Sequence, residues 1–525
     1  MSKTASDSLF RLIKSMTKSE KRYFKIYLQR NTGSNETNYA ILFDAVEIQK
    51  EYNESKMLRK FEGDPMTHNF SVVKRRLYDA ILKSLDSYHS ESSVETELKR
   101  QLHYAEIVFR KTLYSECAKI LESAKRTAIK FEKYLILLEI FKWEKKLLEK
   151  DSYAGKNEED ILAILEEDKL ILDRLKSYSE YWNVKSRVFL LLNKRGKVRD
   201  SSELKDFKKI IDNTLLKTAS LAHSYETRYL FHHIYSAYYF GIGDSLNSYK
   251  NIKKHIELIE RHSEMFEEEP NKYFAVLTNM IYLCNQLRRY DEVQSYLDKL
   301  KTISSKISGG KNEDMEVKFF SSVYSVELTL YVNTGEFEKG IKLVPEIDAG
   351  LKKFGDKVAK LREAYFYFFI SVLYFASGKH SLALQWINKL LNDKKIEESQ
   401  DIHCFAQILN LIIHFELGND DLLPYAIKST ERYLQTRKRV YKFETIFLGL
   451  ISHLSKASSN KAGADYLLSF QKELTKISRD SFEKTVFEYF DFISWTESQL
   501  EKIPFADVVK RKAGKKPQRE ILIEG

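Results

Sequence analysis

The sequence contains few of the residues that end helices or form tight turns: 6 prolines and 18 glycines among 525 residues. An average globular chain has about 5% proline and about 7% glycine, so few turns are available here. Alternating apolar and polar residues between turn pairs, the pattern of β-strands, are also missing. Apolar residues instead recur at helical spacing along most of the chain. Together these features predict a nearly all-α fold.

Cysteine is scarce as well. The 3 cysteines are Cys117, Cys284 and Cys404, and none belongs to a Cys-x-x-Cys pair. This excludes a disulfide framework and a thiolate zinc site, and it is typical of a reducing compartment. Charged residues interrupt the first apolar residues of the chain, so a secretory signal core is missing too. We therefore expect a cytoplasmic protein.

No uncharged run is long enough to cross a membrane. The longest, residues 364–378, would span only about 22 Å as a helix, whereas the hydrocarbon core of a bilayer is about 30 Å thick. We interpret it as a buried helix and expect no membrane insertion. Hydrophobic residues make up 43% of the chain, with 32 Tyr and 32 Phe. This composition excludes intrinsic disorder, because the chain has enough apolar surface to build a core.

The charge balance is mildly basic, with 86 Lys or Arg against 75 Asp or Glu and a net charge of +11. Both signs are interspersed over most of the chain, so the excess alone is a weak argument for nucleic acid as a partner. The N-terminal helices and the tail are locally more basic. An alternative function is therefore a nucleic-acid-associated regulator that binds phosphates through its N-terminal helices. The residues assigned to that role are Lys18, Lys21, Arg22, Lys25, Lys74, Arg75 and Arg76.

Short polar or glycine-containing breaks interrupt the helical pattern at intervals of 40 to 47 residues. Each interval accommodates two helices of about 17–19 residues joined by a tight turn. One such helix pair cannot bury its apolar faces alone, so neighbouring pairs are expected to stack on one another. The breaks lie near Tyr114, Ala154, Gly196, Gly243, Tyr290, Glu336, Lys379, Asn419 and Lys461.

The residues around several breaks share one pattern. An aromatic residue is followed by a small turn residue, a second aromatic residue and then a small residue on the second helix, as in Tyr331, Gly335, Phe337 and Gly340. The small residue lets a bulky ring on the first helix approach closely. This pattern resembles the tetratricopeptide repeat, although the period exceeds the family's period of about 34 residues and the helix-ending proline is missing. HEAT-type helix pairs are the structural alternative.

The resemblance implies a right-handed α-solenoid of about nine helical hairpins with a period of about 43 residues. We assign residues 1–95 to a small helical N-terminal domain, residues 96–500 to the tetratricopeptide-like α-solenoid and residues 501–525 to a basic, flexible tail. Residues 17–25, with the sequence TKSEKRYFK, resemble the opening of uncharacterised bacterial helical-repeat proteins. That second resemblance implies no activity.

Motifs of catalysis and cofactor binding are missing. The chain has no Gly-x4-Gly-Lys-Ser/Thr loop for phosphates and no His-Glu-x-x-His zinc motif, so we expect no cofactor, no metal and no enzymatic activity. One remote alternative is a ribonuclease, because Arg228 and His233 match the Arg-x4–6-His spacing of HEPN-type helical ribonucleases.

In a tetratricopeptide-like solenoid the first helix of each pair lines a concave groove in which peptides bind. The sequence therefore predicts a non-enzymatic scaffold or adaptor that binds a protein or peptide, with the partner's identity and the oligomeric state left open. Asparagines in the groove offer a donor and an acceptor to a peptide backbone, and aromatic rings offer apolar anchors. The predicted groove residues are His233, Tyr282, Asn285, Thr329, Asn333, Tyr365, Phe368 and Phe405.

Overall fold

A computed structural model of the chain describes residues 6–31, 36–89, 93–307, 313–393, 400–456 and 460–513. In these ranges α-helices and short 3-10 helices are the only regular elements, so the expected all-α fold is confirmed. None of the helices in the described ranges is long and apolar enough to cross a membrane. Contacts divide the chain into two compact units, residues 1–171 and 172–525. The predicted domain boundary at residue 95 stays a prediction. Residues 514–525 of the predicted tail lie outside the described residues, whereas Phe505–Ala513 form a helix.

The first unit is built from nine helices within the ranges that the structure describes. They are α1 (Ser8–Ser15), α2 (Lys18–Asn31), α3 (Glu36–Ile48), α4 (Glu54–Lys60), α5 (Phe70–Tyr88), α6 (Val94–Arg110), α7 (Tyr114–Lys130), α8 (Tyr134–Lys150) and the beginning of α9 (Glu158–Arg195). Helices α1, α2, α3 and α5 pack around a core of their own that includes Ile13, Phe24, Phe43, Leu77 and Ile81. A capping box begins α2, because the amide of Glu20 donates to the Thr17 hydroxyl and the Glu20 carboxylate accepts from the Thr17 amide.

The second unit contains the remainder of α9 and sixteen further helices in its described part. They are α10 (Ser201–Ile211), α11 (Tyr225–Gly241), α12 (Ser245–Arg261), α13 (Ser263–Glu268), α14 (Pro270–Gln286), α15 (Tyr290–Ile307), α16 (Glu313–Thr334), α17 (Phe337–Phe354), α18 (Lys360–Ala376), α19 (His380–Asn392), α20 (Gln400–Glu416), α21 (Leu423–Thr436), α22 (Lys442–Leu454), α23 (Asn460–Ile477), α24 (Phe492–Glu501) and α25 (Phe505–Ala513). A 3-10 helix, Glu483–Glu488, lies between α23 and α24.

Helices of the second unit pack in antiparallel pairs and in rows. The two helices of the pairs α11/α12, α14/α15, α16/α17 and α18/α19 contact each other along their length. In addition α14 contacts α16, α16 contacts α18, α18 contacts α20 and α20 contacts α22. The five helices α14, α16, α18, α20 and α22 therefore each contact the next in one row. Residues 364–376 of the uncharged run lie in α18 and are mostly buried, with Phe366 and Phe368 fully inaccessible, and the last two residues of the run form the turn after the helix.

One backbone turn recurs at the ends of the first helices. A residue with positive φ donates its amide to the carbonyl three residues earlier, and the next amide donates to the carbonyl five residues earlier. These bonds satisfy carbonyls that the end of a helix otherwise leaves unpaired. The predicted breaks at these places are confirmed, including two that lack glycine. The positive-φ residues are Thr112, Gly243, Arg288, Gly378 and Gly418.

The small residues on the second helices have a more varied role than the sequence pattern predicts. Ser248 and Ala383 are fully buried, and one hydroxyl–carbonyl hydrogen bond joins the two helices of each hairpin. The Ser248 hydroxyl of α12 donates to the Ser236 carbonyl of α11, whereas the Ser371 hydroxyl of α18 donates to the Ala383 carbonyl of α19. Gly340 differs, because a Cβ atom there would lie 2.6 Å from Leu373 of α18. At Gly340 the small residue accommodates the following helix pair and not a ring of its own hairpin.

The region between the breaks at Ala154 and Gly196 departs from the expected period. A helix pair is predicted there, but the structure has a single helix of 38 residues, α9. No glycine or proline lies inside its sequence, so nothing in the chain ends the helix at mid-length. The regular spacing of the breaks thus predicts a hairpin where the chain forms one long helix.

Candidate functional site

A cavity of about 570 Å³ lies inside the second unit. Its wall is formed by residues of α9, α11, α12, α14, α16 and α18, and it is completed by the start of α20 and the 3-10 helix Glu483–Glu488. Five of the eight predicted groove residues line this one cavity. They are His233, Tyr282, Asn285, Thr329 and Tyr365.

Asn285 is the most unusual of these residues. Its side chain lies on α14 and the residue is only 2% exposed, yet neither its Oδ1 nor its Nδ2 atom has a hydrogen-bond partner among the described residues. Leaving a buried polar group without a partner costs about 1–3 kcal/mol. Asn285 therefore lines the cavity with both its donor and its acceptor unpaired among the described residues.

Hydroxyl groups line the same wall beside Asn285. The hydroxyls of Thr329 and Tyr365 lie 2.8 Å apart and join α16 to α18. The Tyr282 hydroxyl donates to Oε2 of Glu488 at 3.1 Å and accepts from Gln286 at 3.0 Å. Burial raises the pKa of Tyr365 to about 12, so this phenol is neutral and available as a donor at neutral pH.

Arg362 brings a positive charge to the cavity. It lies in the first turn of α18, and its guanidinium has neither a carboxylate partner nor a hydrogen bond among the described residues. Burial lowers its pKa, and only Tyr365, whose ring centroid lies 5.8 Å from the guanidinium carbon, acts in the opposite direction. Arginine remains a cation under these conditions. The cavity therefore contains one cation that no described residue compensates.

The acidic groups of the cavity, in contrast, have partners. Glu488 accepts from Nζ of Lys197 at 2.6 Å. Asp401 lies 3.4 Å from Nη2 of Arg439, and burial raises the pKa of this carboxyl to about 6. Neither carboxylate is near enough to Arg362 to influence its pKa.

Phe368, Phe405 and Asn333 lie elsewhere. Phe368 and Phe405 are 0% and 4% exposed, and both contact Tyr489, whose ring is stacked on Phe405 with a centroid distance of 4.1 Å. The chain itself thus covers the two rings that the sequence predicts as open anchors. Asn333 is exposed near the end of α16 and does not line the cavity.

The cover belongs to residues 478–491, which we call the closing segment. It includes the 3-10 helix Glu483–Glu488 and connects α23 to α24. Its Glu483 carboxylate accepts from Nη2 of Arg199 at 2.8 Å, and the other guanidinium nitrogen of Arg199 donates to Glu444 at 3.0 Å. The two carboxylates outweigh the effect of burial and raise the pKa of Arg199. A buried ion triad therefore joins the loop between α9 and α10 to α22 and to the closing segment.

Sequence reasoning missed Arg362, the closing segment and the ion triad. The partners of Arg199 are 245 and 284 positions away along the chain. Spacing patterns report neighbours within one or two helices, so contacts at such separations leave no periodic signal. Arg362 lies two residues before an apolar run, so the sequence pattern indicates only the polar start of a buried helix.

Three histidines form a cluster beside the cavity. The ring of His255 lies 5.9 Å from that of His233 and 6.2 Å from that of His232, measured between centroids. Burial lowers the pKa of His232 and of His233 to about 4, and the charges of Lys254 and Lys185 act in the same direction. Burial also lowers the pKa of His255 well below its usual value. All three imidazoles are neutral at neutral pH.

This cluster predicts that acid destabilises the second unit. The unfolded histidines take up protons near pH 6.5, whereas folded His232 and His233 resist protonation down to about pH 4. Their contribution to stability is therefore complete above pH 6.5 and is lost as pH falls towards 4, by about 3 kcal/mol for each histidine. Asp401 and Glu444 oppose the trend, because burial raises the pKa of both carboxyls, that of Asp401 to about 6. Urea midpoints measured from pH 7.5 to 4.5 should fall.

The urea midpoint should fall less steeply with decreasing pH in His233→Gln than in the wild type. His103→Gln is the control, because the side chain of His103 is 67% exposed in the first unit. A pH dependence that is the same in all three proteins would contradict the assignment.

The basic residues proposed for nucleic acid divide into two groups. Lys21, Lys25 and Lys74 form ion pairs with Glu47, Asp44 and Glu54, so their charges are used inside the first unit. The other four are exposed and have no acidic partner among the described residues. They are Lys18, Arg22, Arg75 and Arg76. The nucleic-acid alternative stays a prediction that depends on these four cations.

The ribonuclease spacing places its two residues on different sides of α11. Arg228 is exposed and donates from Nε to the carbonyl of Ala222 at 3.0 Å, whereas His233 faces the cavity. Five positions on a helix correspond to a rotation of about 140°. The two side chains therefore do not converge on one phosphodiester in this structure.

No family model matches the chain, and no curated protein matches it. Within the described ranges, no group of three or more His, Cys, Asp or Glu side chains is placed to hold a metal ion. All three cysteines are buried and free, and burial raises the pKa of Cys284 and of Cys404 to about 12.

Proposed function

We propose that the helix pairs of the second unit form a tetratricopeptide-like solenoid and that the protein is a non-enzymatic peptide-binding scaffold or adaptor. Support comes from the row of contacts between first helices, α14 to α16 to α18 to α20 to α22, and from the recurrent turn. The peptide binds in the cavity between this wall and the closing segment. In a solenoid this wall is the surface on which extended chains bind.

Asn285 is the observation that carries the proposal. A peptide group has one N–H donor and one C=O acceptor, and a side-chain amide has the complementary pair. Among the described residues Asn285 leaves both groups unused at 2% exposure. A peptide backbone supplies both missing partners at once and removes the cost of burying them.

The size and the chemistry of the cavity fit a short peptide. Its volume of about 570 Å³ lies within the range of about 300–1,000 Å³ that is usual for ligand sites. Apolar side chains such as Phe189, Phe240 and Phe369 line it together with the hydroxyls of Thr329 and Tyr365. Such a mixture matches a ligand that alternates polar backbone groups with side chains.

Affinity selection from a defined peptide library tests the proposal. The purified protein is mixed with an equimolar synthetic library of tripeptides, separated from unbound peptide by gel filtration, and the retained peptides are identified by mass spectrometry. We expect the wild type to retain a subset of the library. Asn285→Leu should retain that subset at least 10-fold less, because the apolar side chain offers no donor or acceptor to the backbone.

Asn333→Leu is the matched control, since Asn333 is an exposed asparagine outside the cavity. It should retain the same peptides as the wild type. Asn285→Leu removes two unpaired polar atoms and should be at least as stable as the wild type, so loss of binding would not reflect unfolding. Retention of no peptide by the wild type, or equal retention by Asn285→Leu, would refute the proposed function.

A further inference from the structure

Arg362 lines the cavity without a counter-charge, and this defines what the ligand must carry. Among the described residues no carboxylate forms an ion pair with this guanidinium, whose carbon lies 5.8 Å from the ring centroid of Tyr365. Arg362 is half-buried, and a cation that borders an apolar cavity without a counter-charge favours a ligand of opposite charge. Because none of the described residues pairs with it, an anionic group of a ligand is the partner that this cation can accept.

We infer that the ligand of the cavity is an acidic peptide, one of whose carboxylates pairs with Arg362. This inference rests on the proposed function and names the chemical class of its ligand. Asn285 requires a backbone amide and Arg362 requires a planar anion, and a peptide with a carboxylate supplies both in one molecule. Arginine binds carboxylates through two parallel hydrogen bonds, which fixes the direction of the ligand as well as its charge.

The position of Arg362 suits a charged end of the ligand. Leu361, the neighbouring residue of the cavity wall, is 54% exposed, so the cavity meets solvent beside Arg362. A carboxylate reaches the guanidinium there without crossing the apolar part of the cavity. Asp401 and Glu488 line the cavity as well, and their negative charges disfavour a ligand with several anionic groups. The cavity thus favours a peptide with a single carboxylate near its mouth.

The carboxylate belongs either to an Asp or Glu side chain or to the C-terminus of the peptide, and three tripeptide libraries distinguish the two. The first has C-terminal amides and lacks Asp and Glu. The second has C-terminal amides and one Asp or Glu in each peptide. The third has free C-terminal carboxylates and lacks Asp and Glu. Retention is measured by gel filtration and mass spectrometry for the wild type, Arg362→Gln, Arg362→Lys and Arg432→Gln.

We expect the wild type to retain the second or the third library about 10- to 100-fold better than the first, as a charge-assisted pair predicts. Whichever of these two libraries is retained more strongly identifies the source of the carboxylate. Arg362→Gln should abolish the stronger retention of carboxylate-containing peptides, and Arg362→Lys should restore part of it. Arg432→Gln, which removes an exposed arginine of α21, should retain the libraries as the wild type does.

Equal retention of all three libraries by the wild type, still dependent on Asn285, would overturn the inference about the carboxylate and leave the proposed function intact. A preference for a carboxylate that persists in Arg362→Gln would also overturn it. Retention of none of the libraries would refute the proposed function itself. Unfolding is excluded as the cause by the Arg362→Lys variant and by circular dichroism of each protein.

Discussion

Replacement of Arg199 by methionine should lower the free energy of unfolding by about 3–5 kcal/mol, the range for breaking a buried ion pair by removing one partner. The side chain of Arg199 is 7% exposed, and its two terminal nitrogens bind Glu444 and Glu483 at 3.0 and 2.8 Å. The methionine would fill a similar space, but both carboxylates would remain buried without their cation. Desolvation of these two charges is the source of the large effect.

Urea unfolding followed by circular dichroism measures this loss. Arg195→Met is the matched control, because the ion pair of Arg195 with Asp206 is formed by half-exposed side chains and is worth less than about 1 kcal/mol. The triple variant Arg199→Met/Glu444→Gln/Glu483→Gln should regain at least half of the lost stability, since no buried charge of the triad remains. If Arg199→Met were no less stable than Arg195→Met, the triad would not hold the closing segment.

Replacement of Trp495 by alanine should lower the free energy of unfolding by about 3–5 kcal/mol, as is usual for a large buried aromatic side chain. Trp495, in α24, is the largest of the fully buried side chains in the described part of the chain. Its ring contacts Phe415 and Phe447, and its Nε1 donates to Glu416 at 2.8 Å. Truncation would therefore leave a cavity and would remove one donor from a carboxylate.

Trp182→Ala controls for the loss of a tryptophan, because Trp182 on α9 is 51% exposed. The free energy of unfolding of Trp182→Ala should stay within about 0.5 kcal/mol of the wild-type value. It is measured by urea unfolding followed by circular dichroism at 222 nm or a similar far-ultraviolet wavelength. A loss of less than about 1 kcal/mol in Trp495→Ala would contradict the packing of α24 after the closing segment.

The helix ends were predictable from the sequence because each depends on local chemistry. A small or polar residue such as Gly378 adopts positive φ and redirects its neighbouring amides to the free carbonyls of the helix end. The same turn forms at Arg288 without glycine, at an energetic cost that the surrounding packing must offset. Local signals of this kind identify where helices end. They do not identify an interval that contains one long helix instead of a helix pair, as α9 demonstrates.

Five cavity residues were predictable for a related reason. His233, Asn285 and Tyr365 occupy corresponding faces of successive first helices, so one repeating pattern brings them to a common wall. The side of the cavity that the closing segment forms was not predictable. Tyr489 covers Phe405 through a contact between elements 84 positions apart, and burial of an aromatic ring by its own chain has the same sequence signature as an open anchor.

The central claim is that Asn285 holds the backbone of a peptide inside the cavity. A crystal structure of the protein with the most strongly retained tripeptide tests this claim most directly. We expect one peptide group with its N–H and C=O within about 3.2 Å of Oδ1 and Nδ2 of Asn285. A peptide bound on any other surface, with the Asn285 amide still unpaired in an empty cavity, would contradict the account.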